Sequence, residues 1–269
     1  MRKYDSFEDI SVEISNDFVA TVEIQKPPLN FFDIELIRQI GDVFDMLDEE
    51  PACRAIVLCA AGKTFCAGAN FGDGKDLGAD GQLKTQTQDE RAKHLYVEAV
   101  RLFANKLPII GAIHGAAIGG GLGLAMVPDL RVTCPEARFS ANFTRLGFHP
   151  GFGLSVTLTE AIGKKNAALM FYTSRRFKGE EAYAMGLADV LVPQNEVRSA
   201  AQALAAEIAQ NAPLAIAETR QTMRGDLAER VRAATDHELE IQTRLRATSD
   251  FKEGIAAMSA RRVPNFTGE

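Results

Sequence analysis

Ala55 to Asn70 reads AIVLCAAGKTFCAGAN, and Ile109 to Met126 reads IIGAIHGAAIGGGLGLAM. Each begins with a short continuous apolar run, Ala55 to Ala60 and Ile109 to Ile113, of the kind that forms a strand buried on both faces. Each then empties into glycines and alanines, whose small side chains let backbone N–H groups approach a ligand closely. Two such turns, if they converge, present paired donors of the kind that form an oxyanion hole. Beyond the glycine triplet the second segment turns to helix.

Outward from these turns the chain alternates strands and helices. Residues 10–24, ISVEISNDFVATVEI, read as two half-buried strands joined by a turn at Asn16-Asp17. QKPPLN breaks regular structure, and from Asp33 the residues Ile34, Ile37, Ile40, Phe44 and Leu47 recur at helical spacing. Residues 72–90 show no clear period and read as a mobile surface loop that could serve as a lid. A helix follows to about Asn105. Leu130 to Cys134 and Arg138 to Ser140 read as strands, and TRLGFHPGFG as a turn-rich segment. Val197 to Ala209 and a long stretch containing Leu227, Val231, Ala234, Ile241 and Leu245 read as helices. The composition shift near residues 195–212 divides a mixed α/β core from a helical appendage.

Composition excludes several classes of function. The 269 residues carry 36 acidic and 30 basic side chains, a net charge of −6, with no basic run interleaved with aromatics, so a nucleic-acid partner is not expected. The N-terminal segment has no apolar stretch of a signal peptide, and the apolar run from Leu107 to Val127 is broken by His114 and glycines. Cytoplasmic residence without a membrane span is therefore expected. Cys53, Cys59, Cys66 and Cys134 form no CxxC pair and have no histidines at ligand spacing, so they read as reduced core thiols with no metal. Three familiar motifs fail on single residues. GKT lacks the upstream P-loop glycine, because position 57 is Val; GGGLG lacks the last glycine of GxGxxG, because position 124 is Leu; and GLSVT lacks the closing glycine of a nucleophile elbow.

FCAGAN, IHGAAIGGGLGLAM, PDLRV, ARFSANFTRLGFHPG, EEAYAMGLADVLVP and the terminal ARRVPNF occur in that order after QKPPLN. Over nearly its whole length the chain thereby resembles the crotonase superfamily, the enoyl-CoA hydratase/isomerase family. The resemblance implies an α/β fold: a ClpP/crotonase-like spiral of ββα units over residues 1–195 that binds acyl-CoA, and a C-terminal α-helical region over 196–269 that mediates a homotrimer or dimer of trimers. It implies an acyl-CoA substrate, with coenzyme A entering as part of that substrate and no separate cofactor. The N–H groups of Ala69 and Gly120 are implied as the oxyanion hole, with Ala67 and Gly119 beside the substrate. Lys63 and Arg261 fall where relatives offer positive charge to the CoA phosphates, and Phe71, Phe143, Phe148 and Phe152 are candidates to line an acyl pocket.

The resemblance also exposes two departures. Hydratases of the family carry one glutamate three residues after the central glycine of the triplet and a second after the next strand; here those positions are Gly123 and Phe143. A positioned general base contributes about 10²–10⁴ in rate, so ordinary two-carboxylate hydration is not expected. His149, a few residues past the second position, is the first candidate for a relocated acid–base group. Thr144 and Asn142 could position water or a substrate polar group. His114, His94 and His237 read as packing or helix-surface residues, Asp73 and Asp76 as loop carboxylates, and Asp129 as a structural brace. The expected activity is that of an enoyl-CoA hydratase/isomerase-like lyase or isomerase working through a thioester enolate. The alternatives are decarboxylation, isomerisation or thioester hydrolysis with His149 as acid/base, or a non-catalytic CoA-binding scaffold.

Overall fold

The computed structural model describes residues 2–4, 7–69 and 95–269. The alternating segments near the N-terminus form β1 (Arg2–Tyr4), β2 (Ile10–Ile14) and β3 (Val19–Ile24), an antiparallel run in which Ile10 lies opposite Ile24. Asp33 stops the following loop: its carboxylate accepts the Leu36 N–H at 2.9 Å and caps α1 (Ile34–Asp48), a contact of the type worth about 1 kcal/mol. Of the expected stripe, Ile37, Ile40, Phe44 and Leu47 are buried, whereas Ile34 at the first turn is exposed.

Both apolar runs form strands with every residue buried. β4 (Ala55–Ala60) pairs parallel to β3, and β5 (Ile109–Ile113), which follows α2 (Leu95–Arg101), pairs parallel to β4. After β5 come β6 (Ala116–Ile118), α3 (Gly120–Ala125), β7 (Leu130–Thr133) and β8 (Arg138–Ser140). α4 (Leu154–Thr173) is broken at Gly163, and β9 (Phe177–Lys178), α5 (Gly179–Ala184) and β10 (Val190–Leu191) complete the strand region. Two sheets result: a seven-stranded one in the order β1-β2-β3-β4-β5-β7-β10, parallel from β3 onward, and a three-stranded one in the order β6-β8-β9.

Four helices close the chain: α6 (Val197–Ala209), α7 (Pro213–Arg224), α8 (Leu227–Arg246) and α9 (Ser249–Ser259). α6 buries Val197, Ala201, Ala205 and Ala209, one every four residues, against β4, β5 and β7. The sheet core therefore extends past residue 195, and the first helix of the expected oligomerisation region is part of it. α8 buries Val231, Thr235, Glu238 and Gln242, whereas Leu227, Ala234, Ile241 and Leu245 of its apolar stripe are half-exposed. The polar face goes inward because it has partners there. The Glu238 carboxylate accepts from Gly153 N, Ser155 N and the Ser155 hydroxyl at the start of α4, and Gln242 engages Tyr96 and the His149 carbonyl. All four cysteines are buried and free, and burial pushes the Cys53, Cys59 and Cys66 thiols up to about 12. Among the described residues, no helix is long and apolar enough to cross a membrane.

Candidate active site

The two glycine turns meet. Cys66 forms a parallel bridge with Ala117, donating its N–H to Ala116 O at 2.9 Å and accepting from Ile118 N at 3.0 Å. On its other flank the first turn pairs Ala69 with Phe32, whose N–H donates to Gly68 O at 3.1 Å. Gly68 has φ +86°, and a Cβ there would fall 2.7 Å from Ile118 O, so the close approach of the two backbones requires glycine. The same point lies 3.5 Å from Gly120 N. Neither Ala69 nor Gly120 donates its N–H to any described residue, and both line a cavity of about 1130 Å³.

One wall of this cavity is apolar: Phe143, Leu146, Phe148 and Phe152. The Phe143 ring tip lies 4.0 Å from where a Gly119 Cβ would be, and Phe143 packs edge-on against Phe148 at 5.5 Å between centroids. Five exposed arginines, Arg145, Arg175, Arg176, Arg261 and Arg262, lie around the cavity. Among its described lining residues the only carboxylate is Asp33, which pairs with Lys26 at 2.9 Å while capping α1. Burial acts to raise the Asp33 pKa, but the Leu36 N–H and the Lys26 ammonium outweigh it and hold the carboxyl below its ordinary range. It is an engaged anion of low basicity. The site thus sets two backbone amides that donate to no described residue in the lining of an apolar, cation-rimmed chamber.

Comparison with known proteins decides the family. The model of the family described as Enoyl-CoA hydratase/isomerase matches residues 15–269. The chain belongs to the enoyl-CoA hydratase/isomerase family. A probable enoyl-CoA hydratase of Rhodobacter capsulatus is 30% identical over 264 residues, covering 98% of this chain and 99% of that protein. The short-chain-enoyl-CoA hydratase of Clostridium acetobutylicum is 28% identical over 253 residues, covering 92% and 94%. The crystal structure of an enoyl-CoA hydratase/isomerase from Pseudoalteromonas atlantica superposes with a TM-score of 0.84 at 26% identity, covering 97% of this chain and 100% of that one. The mixed α/β architecture with C-terminal helices is therefore the crotonase fold of this family.

Phenyl rings crowd both positions singled out by the sequence, Gly123 and Phe143. A Cβ on Gly123 would fall 2.5 Å from Phe152 Cβ and 2.7 Å from its Cγ. Phe152 holds φ +63°, and its ring also packs against Phe32 at 5.6 Å, the residue that covers the Cα of Gly120. Phe143 is 5% exposed, part of the wall rather than a water carrier.

Several expected site residues lie elsewhere. The His149 ring is not in the cavity wall. Its Nδ1–H donates to the Pro150 carbonyl at 2.8 Å and the ring faces His237, 6.4 Å away. Gln242 holds the His149 carbonyl at 2.8 Å and Glu238 holds Gly153 N at 2.8 Å; this pinning turns Gly151 and Phe152 toward the cavity and leaves the imidazole outside it. Thr144 is also turned away, its hydroxyl 2.7 Å from both Phe171 O and Ser174 Oγ, where it ties the 144–146 turn to the end of α4. Lys63 is exposed on the loop before Phe65 and does not line the cavity, whereas Ala67, Gly119, Asn142 and Arg261 do. Phe71, Asp73, Asp76, His94 and the 72–90 segment lie outside the described residues. His114 contacts Gly62 O through Nε2 at 3.0 Å.

Sequence reasoning missed the far end of the chamber. Tyr96, Gln242 and Arg246 line it together, with the Tyr96 hydroxyl donating to Gln242 Oε1 at 2.9 Å. The Arg246 guanidinium carbon lies 6.0 Å from the Phe148 ring centroid. Its Nε is fully buried with no hydrogen-bond partner among the described residues, and burial pulls the guanidinium below its ordinary pKa. The signal was present as steps of three and four residues: Thr235, Glu238, Gln242 and Arg246 continue one helical face, masked by the more conspicuous apolar stripe beside it.

Proposed function

We propose that this chain is an acyl-CoA lyase or isomerase that binds a thioester with its carbonyl at the Ala69 and Gly120 N–H groups and carries the reaction through the thioester enolate. The observation that carries this reading is the pair of adjacent backbone amides, unbonded to described residues, facing an apolar chamber. There they oppose developing negative charge without reorganisation, and losing one such donor in comparable sites costs about 10²–10³ in rate. Arg261 and the other exposed arginines suit the phosphates of CoA. Exposed Leu214 and Met223 on α7, 81% and 82% accessible, support association of copies through the C-terminal helices.

Decarboxylation of a thioester bearing a carboxylate on its α-carbon is the second reading, favoured by the engaged state of Asp33. That reaction needs no general base: the bond from the α-carbon to the carboxylate breaks, CO₂ leaves, the electron pair forms the enolate, and the α-carbon then takes a proton from water. The test is calorimetric binding of free CoA together with loss of conjugated enoyl-thioester absorbance from crotonyl-CoA and longer or aromatic enoyl-CoAs, beside CO₂ release from malonyl- and methylmalonyl-CoA. The expected result is CoA binding, with crotonyl-CoA hydration at least about 10²-fold slower than a two-carboxylate hydratase. Fast hydration of crotonyl-CoA would contradict the carboxylate-free account. Absence of CoA binding would contradict the acyl-CoA reading itself.

A further inference from the structure

Arg246 is a cation placed inside an apolar chamber. It continues the inward face of α8 one turn beyond Gln242, its Nε is shielded from solvent without a hydrogen-bond partner, and no carboxylate pairs with it among the described residues. Among the described residues its polar contact is a long one, 3.5 Å to Gln242 Oε1, an atom already accepting from Tyr96. A half-buried guanidinium whose Nε is shielded from water, with no counter-ion among the described residues, is costly to hold. The five other arginines around the cavity are exposed, as suits phosphates that remain in water, whereas Arg246 is separated from the oxyanion turn by the Phe143 and Phe148 rings. A ligand reaching it from Ala69 and Gly120 runs along that phenyl wall, which is the path of an acyl chain rather than of a nucleotide.

We infer that Arg246 is the counter-ion for a carboxylate carried by the acyl group, at the end distal to the thioester, so that the substrates of this site are CoA monothioesters of dicarboxylic acids. This rests on the acyl-CoA reading above and adds specificity to it. The distal carboxylate takes no part in bond making or breaking; it is held by the guanidinium through charge-assisted hydrogen bonds while the carbonyl is held at the other end.

The experiment measures binding of free CoA and of matched pairs, adipyl- against hexanoyl-, pimelyl- against heptanoyl- and suberyl- against octanoyl-CoA, to the wild type, Arg246→Met and Arg246→Lys. The wild type is expected to prefer at least one carboxylate-tipped member by about tenfold or more. Arg246→Met is expected to lose that preference and Arg246→Lys to keep part of it, with free CoA bound equally by all three. Because removing a half-buried charge with no counter-ion among the described residues relieves the apo-protein, Arg246→Met is also expected to melt at or above the wild-type temperature. The inference is overturned if no carboxylate-tipped thioester is preferred over its neutral partner, or if the preference survives in Arg246→Met. Failure of free CoA and all six thioesters to bind overturns the acyl-CoA reading and this inference with it.

Discussion

On the proposed reading, Gly123 and Phe143 stand where a two-carboxylate hydratase carries its glutamates, and the packing around Gly123 opposes simple reversal of the first. Phe152 occupies the space a side chain at 123 would enter, so Gly123→Glu places a longer, charged group against a ring already packed on Phe32. Overpacking of this kind costs about 1–3 kcal/mol before any penalty for burying the carboxylate. Urea denaturation is expected to show a loss of at least that size, with no gain of crotonyl-CoA hydration, and Gly123→Glu/Phe152→Ala is expected to recover part of the stability. A Gly123→Glu protein as stable as the wild type would contradict this packing account. Gly123 and Phe143 as candidate positions were legible in the sequence through fixed spacing from the glycine triplet and an ungapped segment. That Phe152 fills the gap was not, since it depends on a positive φ at one residue of a turn that sequence leaves open.

At the level of elements, the hairpin of β2 and β3, the two buried strands β4 and β5 and the alanine-rich α6 were legible, because their patterns bury one kind of residue in one periodicity. The inward face of α8 was not, because the side chains that face the core there are Thr235, Glu238 and Gln242, whose burial is decided by partners far away in sequence. Asp129 was read from the sequence as a structural brace, but its partners, equally far away in sequence, were not legible. Its carboxylate accepts the Ile109 N–H at 2.8 Å and joins Arg220 and Arg224 of α7 at 2.9 and 2.8 Å. Arg220 is 8% exposed and also donates to the Asn105 carbonyl and side chain. Asp129→Ala is therefore expected to leave a buried guanidinium unpaired and to destabilise the protein by about 3 kcal/mol, the lower end of the range for such pairs because the carboxylate keeps some solvent contact. Amide exchange in α7 should accelerate first. A change below about 1 kcal/mol would show that the Asn105 contacts alone hold α7.

Across the whole molecule, the cavity lies between the two glycine turns of the strand region and the last two helices. The turns supply Ala69 and Gly120; α8, α9 and the tail supply Gln242, Arg246, Ala257, Met258 and Arg261. The C-terminal region thus builds the far wall of the site, beyond the association role read from its sequence. Composition marked residues 196–269 as helical but could not show which helix faces carry site residues, because that depends on how α8 turns its polar side inward. In the proposed chemistry the two halves divide the work: backbone amides hold the reacting carbonyl, and the helices hold the rest of the acyl group. The most direct measurement is a crystal structure of the protein with bound adipyl-CoA. The account predicts the thioester oxygen about 2.7–3.1 Å from both Ala69 N and Gly120 N, with the acyl chain running along Phe143 and Phe148. A thioester oxygen bonded to neither amide would contradict it.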